Sequence, residues 1–199
     1  DALGDMSHIS DLAFDAVGNL VFTCPGDSRE EPGGYVCVRT PSGLVRKIAE
    51  QLYFPNGLAF TADGRELVVA ETYRQRLWRG AWDGDTATWR APRIWANGLN
   101  GAPGPDGLAF ASDGTLFVAI FGSGHLVRLD SGGRIIDRCS LPGKRPTNCA
   151  FDPDGRYGLV VTEAEHGALL SLDISDTGQA LFKGPLASTS PEKPKGRNR

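Results

Sequence analysis

Four copies of one short pattern recur along this chain of 199 residues, and their spacing limits the fold more than any other feature. The copies are Ser10-Asp11-Leu12-Ala13-Phe14, Asn56-Gly57-Leu58-Ala59-Phe60, Asp106-Gly107-Leu108-Ala109-Phe110 and Thr147-Asn148-Cys149-Ala150-Phe151. With phenylalanine as register, at positions 14, 60, 110 and 151, the intervals are 46, 50 and 41 residues. Pro55, Pro105 and Pro146 precede the polar opening in three copies. A period of about 40–50 residues in a strand-rich chain is that of a β-propeller, with one four-stranded sheet per repeat. Ser10, Asn56, Asp106 and Thr147 thereby become equivalent positions around one axis.

Within each repeat the punctuation is regular. A turn follows the phenylalanine, with Asp63-Gly64, Asp113-Gly114 and Asp154-Gly155 supplying the positive φ of tight hairpins. Then comes a second apolar run, such as Leu67-Val68-Val69-Ala70 or Leu116-Phe117-Val118-Ala119, and a third, such as His125-Leu126-Val127-Arg128-Leu129. Alternating stretches such as Leu44-Val45-Arg46-Lys47-Ile48 complete the unit as outer strands. No segment keeps a 3.6-residue apolar period for three turns, so the chain reads as all-β. Four four-stranded blades are predicted, at about 8–50, 54–97, 104–141 and 146–183, within a propeller over 1–183. The Pro-, Ser- and Lys-rich end, 184–199, reads as a disordered basic tail.

Composition removes several function classes. A net charge of -3 argues against binding to nucleic acid or an anionic membrane. No apolar run approaches the ~20 residues of a spanning helix. Cys24, Cys37, Cys139 and Cys149 show no metal-ligand spacing and read as buried free thiols, which favours a reducing, cytoplasmic setting. Near the start of the chain there is no signal-type hydrophobic stretch and no initiator Met, so a processed chain or a fragment is expected.

The first strand of each propeller blade lines the central channel, which brings the four opening residues to one mouth. Asp11 and Asn148 occupy the next step inward. Converging carboxylate, amide and hydroxyl oxygens suit a hard cation. Such an ion polarises a carbonyl and lowers the pKa of bound water, and a carboxylate takes the proton. The competing reading is local: Pro-Asn-Gly and Pro-Asp-Gly are turn tripeptides whose polar side chains cap backbone.

Phe54-Pro55-Asn56-Gly57-Leu58-Ala59-Phe60 with Asp63-Gly64, and Pro105-Asp106-Gly107-Leu108-Ala109-Phe110 with Asp113-Gly114, resemble the regucalcin/gluconolactonase family of the senescence marker protein type. So do Ser10–Asp15 with Gly18–Thr23, and Arg145–Phe151, so that the resemblance spans about residues 7–175 in order. It implies a six-bladed propeller, of which about four blades are present, that hydrolyses lactones and related esters with one divalent cation. It implies Asn56 and Asp106 as metal ligands, and Asp106 also as the catalytic proton carrier. Asp11 would be the acidic residue of an Asn-Asp pair near the substrate; Ser10 replaces the Asn, and His8 stands where a basic residue is often found. Ca²⁺ is the first choice of ion, with Mg²⁺, Mn²⁺ or Zn²⁺ as alternatives. The family's upstream Glu ligand has no counterpart in residues 1–7. The alternatives are a non-catalytic propeller binding a ligand or protein partner, or a fragment lacking an essential metal-ligand blade; unpaired strand edges would promote self-association. The related strictosidine-synthase type is not favoured, because the Asn/Asp column is kept.

Other features read as structural. Glu30-Glu31 falls in a loop and Glu163, Glu165 and His166 in a surface turn. Trp78, Trp82, Trp89 and Trp95 pack within a blade. Phe121-Gly122-Ser123-Gly124 is a hairpin without the lysine and helix of a phosphate loop or the surroundings of a nucleophilic serine.

Overall fold

Each apolar run becomes a strand whose alternate side chains feed two different layers, and this two-residue period builds the molecule. The computed structural model describes residues 8–182; the expected tail at 184–199 lies outside them. Blade I contains β1 (Leu12–Phe14), β2 (Leu20–Cys24), β3 (Gly34–Arg39) and β4 (Val45–Leu52). Blade II contains β5 (Pro55–Phe60), β6 (Glu66–Glu71), β7 (Arg76–Asp83) and β8 (Thr88–Asn97), with a 3-10 turn at Thr72–Arg74. Blade III contains β9 (Gly104–Phe110), β10 (Leu116–Phe121), β11 (His125–Leu129) and β12 (Ile135–Ser140). Blade IV contains β13 (Pro146–Phe151), β14 (Leu159–Glu163) and β15 (Ala168–Leu172). All four sheets are antiparallel, with strands in sequence order.

Leu67 and Val69 on one face of β6 join Val21, Val36 and Val38 of blade I, while Val68 and Ala70 on the other join Leu108, Leu116 and Val118 of blade III. Phe117 and Ala119 of β10 continue the stack to Cys149, Leu159 and Val161 of blade IV. Three inter-blade layers therefore hold four sheets face to face, as alternation along a strand buried on both faces requires. Two further ties are polar. Asp15 accepts bonds from Asn19 Nδ2 (2.7 Å) and Trp82 Nε1 (2.8 Å), locking the first turn of blade I to blade II. Arg128 reaches Asp113 (2.8 Å) and Asp176 (2.5 Å), joining blades III and IV.

The fourth blade differs from the expected unit. Among the described residues it has three strands. The chain beyond β15 turns to blade III, where Ser112 N donates to Thr177 O (2.8 Å) and Gln179 N to Phe110 O (3.2 Å). Gln179 Nε2 also reaches Phe60 O (2.7 Å) and Phe182 meets the ring of Phe14, so backbone groups that an outer strand would use are bonded elsewhere. All four cysteines are free; three are buried and Cys139 half-buried. Trp82 and Trp89 are core residues and Trp78 packs against that core. No helix among the described residues is long and apolar enough to cross a membrane.

Candidate active site at the channel mouth

The inner strands approach so closely that glycine is obligatory at two places. A Cβ on Gly57 would lie 2.2 Å from Asp106 O, and one on Gly107 would lie 2.0 Å from Asn148 Oδ1. These are the glycines that follow Asn56 and Asp106. Without them β5, β9 and β13 could not converge, and the polar residue before each would not face the same space.

Ser10, Asn56 and Asp106 do come together. Ser10 Oγ donates to Asn56 Oδ1 at 2.6 Å. Asn56 is buried, and its Nδ2 donates to Thr72 Oγ1 at 3.3 Å; the Thr72 hydroxyl in turn donates to Pro105 O at 2.7 Å. Thr23 Oγ1 donates to Asn56 O at 2.8 Å. Thr72 and Thr23 thus clamp Asn56 from two sides, and Thr72 links it to the strand carrying Asp106.

Asp11 lies one step inward. Its carboxylate accepts bonds from Leu12 N (2.8 Å) and Leu58 N (3.3 Å), against burial that pushes its pKa up. Asp106 is half-buried and its pKa is raised to about 7. Burial is the main cause and the Asp11 carboxylate adds to it, while a hydrogen bond from Asn56 pulls the other way. Two carboxyls, an amide oxygen and a hydroxyl form a hard-oxygen donor set of the kind that Ca²⁺ or Mg²⁺ accepts, so the residues present fit such an ion.

The remaining expected residues lie apart. Thr147 turns toward its own blade, with Oγ1 2.7 Å from Thr162 Oγ1 and donating to Thr162 O, because the polar end of β14 offers nearer partners than the axis. Asn148 is exposed and caps Cys149 N (2.8 Å) while filling the space above Gly107. His8 is exposed and is not part of the cavity wall. Glu30 and Glu31 sit in an exposed loop.

Several residues that shape the candidate site lie outside the repeated motif. A cavity of about 200 Å³ opens over Asn56, Thr72 and Asp106, walled by Phe54, Tyr73, Pro103 and Phe121. Phe54 has a left-handed backbone, φ 58°, a conformation that costs about 1–3 kcal/mol and persists where its surroundings hold it. Here Phe54 N donates to Ser28 Oγ (2.9 Å) and Thr72 N donates to Phe54 O (3.1 Å). Glu71, fully buried, receives bonds from Tyr53 N (2.8 Å), Arg76 Nε (2.5 Å) and Trp78 Nε1 (2.6 Å), fixing the chain that leads into Asn56.

Glu163 plays the same part in blade IV, since Glu71 pairs with Pro55 and Glu163 with Pro146. It is therefore buried, not a residue of a surface turn as expected, although Glu165 and His166 are exposed. Burial alone would raise its pKa, but bonds from the Glu165, His166 and Arg145 backbone and the His166 ring bring it to about 2. The three side chains cluster within 4.8 Å. Both Glu163 oxygens are already engaged, with Arg145 N at 2.9 Å and His166 N at 2.9 Å, which marks a loop clamp. The sequence signal for this pair is a glutamate closing the second strand in repeats two and four.

Comparison with known proteins is consistent with this geometry. The profile of the family described as SMP-30/Gluconolactonase/LRE-like region matches residues 5–165. Diisopropyl-fluorophosphatase of Loligo vulgaris is 32% identical over 193 residues, covering 89% of this chain and 60% of that protein. Pentonolactonase XacC of Haloferax volcanii is 26% identical over 198 residues, covering 90% and 67%. The crystal structure of the calcium-binding protein regucalcin from Agrobacterium tumefaciens superposes with a TM-score of 0.77 at 27% identity, over 87% of this chain and 63% of that one. The chain thus spans about 60% of the length of these relatives.

Proposed function

This chain belongs to the SMP-30/gluconolactonase/LRE-like family, and from that premise we propose that it hydrolyses a lactone or small ester with a divalent cation held at Asn56 and Asp106. The observation that carries the reading is the pair of half-buried carboxyls, Asp106 and Asp11, set beside the clamped amide of Asn56. The names of two relatives support it: one is called a pentonolactonase, and a structural neighbour is called a calcium-binding protein.

Asn56 and Asp106 would be the ligands, with Ser10 Oγ and Asp11 close enough to complete the set through water. The ion, Ca²⁺ in first place, would polarise the substrate carbonyl and supply charge for the developing oxyanion. The rest is done by the chain's own groups. Thr72 and Ser10 fix the Asn56 amide, so its dipole needs no reorientation when the substrate enters. Asp106 takes a proton from the attacking water and returns it to the leaving alkoxide. Burial and the Asp11 carboxylate raise its pKa to about 7, and a bound cation would oppose that rise and keep it ionised as the base. Asp11 and Ser10 orient the substrate from the start of blade I, whereas His8 is exposed and outside the cavity lining.

The test is hydrolysis of a small lactone panel by this chain, with added Ca²⁺ and then with chelator. Chelator-sensitive turnover that disappears in Asp106→Asn supports the reading. Turnover that survives both changes would assign the reaction to other groups.

A further inference from the structure

The same cavity says more about the substrate than the reaction does. Its floor carries three polar side chains, Asn56, Thr72 and Asp106, and its walls are Phe54, Tyr73, Pro103 and Phe121. On the floor, the Asp106 carboxyl is the group best able to meet a substrate hydroxyl, and it would be occupied with the ion. Thr72 Oγ1 is spent on Asn56 and Pro105, and Asn56 Oδ1 is taken by Ser10. On one side the rings of Phe54 and Tyr73 stand 5.4 Å apart at a tilt of 55°, presenting a continuous aromatic surface. The guanidinium of Arg29 packs 5.9 Å from the Phe54 centroid, and Arg29 is not among the lining residues. Among the described residues no lysine, arginine or histidine lines the space, so no side chain there pairs with an anionic substituent.

Resting on the hydrolase reading above, we infer that the site takes an uncharged lactone or ester carrying one apolar ring, in preference to a polyhydroxylated sugar lactone. Size agrees: a dry cavity of about 150 Å³ holds one benzene ring, and the space here is about 200 Å³. A sugar lactone brings several hydroxyls. Those facing Phe54, Pro103 and Phe121 would lose their water without gaining a partner, the mismatch that enzymes exploit most strongly in discrimination. Phe54 is the specificity-determining residue, because its left-handed backbone projects the ring at a position held by Ser28 and Thr72.

The experiment compares dihydrocoumarin with glucono-1,5-lactone in the presence of Ca²⁺, in the unaltered chain and in Phe54→Ser, Phe121→Ser and Tyr73→Phe. The expected kcat/KM is at least about tenfold higher for the aromatic lactone, and that ratio shrinks about tenfold in Phe54→Ser, mostly through KM. Tyr73→Phe, which keeps the ring and removes the hydroxyl, keeps the ratio. A preference for gluconolactone, or a ratio unmoved in both serine variants with intact β-sheet circular dichroism, overturns the inference. Binding of two unreactive lactams, 3,4-dihydroquinolin-2-one and gluconolactam, is measured by calorimetry alongside. If neither lactone turns over, the hydrolase reading fails on its own, and the lactams still decide. Tighter binding of the aromatic lactam upholds the apolar site, whereas equal binding, tighter gluconolactam binding or no binding of either refutes it.

Discussion

At the residue scale, the site depends on a carboxyl whose affinity for protons is shifted by its surroundings. Asp106→Asn keeps size and hydrogen bonding but removes the proton acceptor, and hydrolysis should fall by about 10²–10⁴-fold. Circular dichroism should stay β-rich; turnover within a few-fold of the unaltered chain would remove Asp106 from the mechanism. The raised pKa has a signed consequence. Between the ordinary carboxyl range and about 7 the folded chain binds the proton that the unfolded chain has released. Metal-free stability therefore declines as pH rises through that window, and Asp106→Asn flattens the decline. A cation competes for the same carboxylate, so the Tm gain from Ca²⁺ should be larger at pH 8 than at pH 5.5. An equal gain at both would place the ion elsewhere. Asn56→Ala should weaken Ca²⁺ binding more than Asn148→Ala does, because Asn56 is clamped at the mouth while Asn148 caps Cys149; calorimetry ranks the two.

At the scale of elements, the decisive feature is contact between inner strands. Gly107→Ala would drive a methyl group into Asn148, and the strands must part to accept it. A loss of about 1–3 kcal/mol is expected, the usual cost of overpacking, together with weaker metal binding from a displaced Asp106. Denaturant unfolding measures the first and calorimetry the second. Unchanged stability would mean that the strands are less tightly apposed. Much of this level was legible beforehand. Asp-Gly turns, alternating runs and the Leu-Ala-Phe triplets name the strands because each is a local backbone preference. The clamps by Glu71 and Glu163 were not legible as such, because a buried glutamate is recognisable only from the N–H groups it meets, and one in each clamp comes from a residue 18 positions away. Thr147 shows the converse: its place in the repeat was right, but Thr162 across the hairpin decided where its hydroxyl points.

At the scale of the whole molecule, the end blades differ from the middle ones. Leu58, Leu108 and Cys149, equivalent in the repeat, are 4–6% exposed, whereas Leu12 at the same place in blade I is 54% exposed. On blade IV, Leu169 is 74% exposed. Apolar sheet faces and a three-stranded blade are surfaces on which chains pair. Sedimentation of this chain should show reversible self-association that Leu12→Asp and Leu169→Asp weaken. A monomer at all concentrations would contradict that.

By itself the sequence determined that the chain repeats, that each repeat is a twisted set of strands, and which residues open the inner strands. All of these follow from two-residue alternation, turn chemistry and a constant period. What only the tertiary structure decided is how those openings meet. Asn56 became a clamped amide because Thr72 and Ser10 arrive from other segments, and Asp106 a shifted carboxyl because of burial and then Asp11. The aromatic walls have no repeat behind them: Phe54, Tyr73, Pro103 and Phe121 come from four different loops and strand ends. Local preferences act between neighbours in the chain, whereas burial, electrostatic shifts and cavity shape act between neighbours in space.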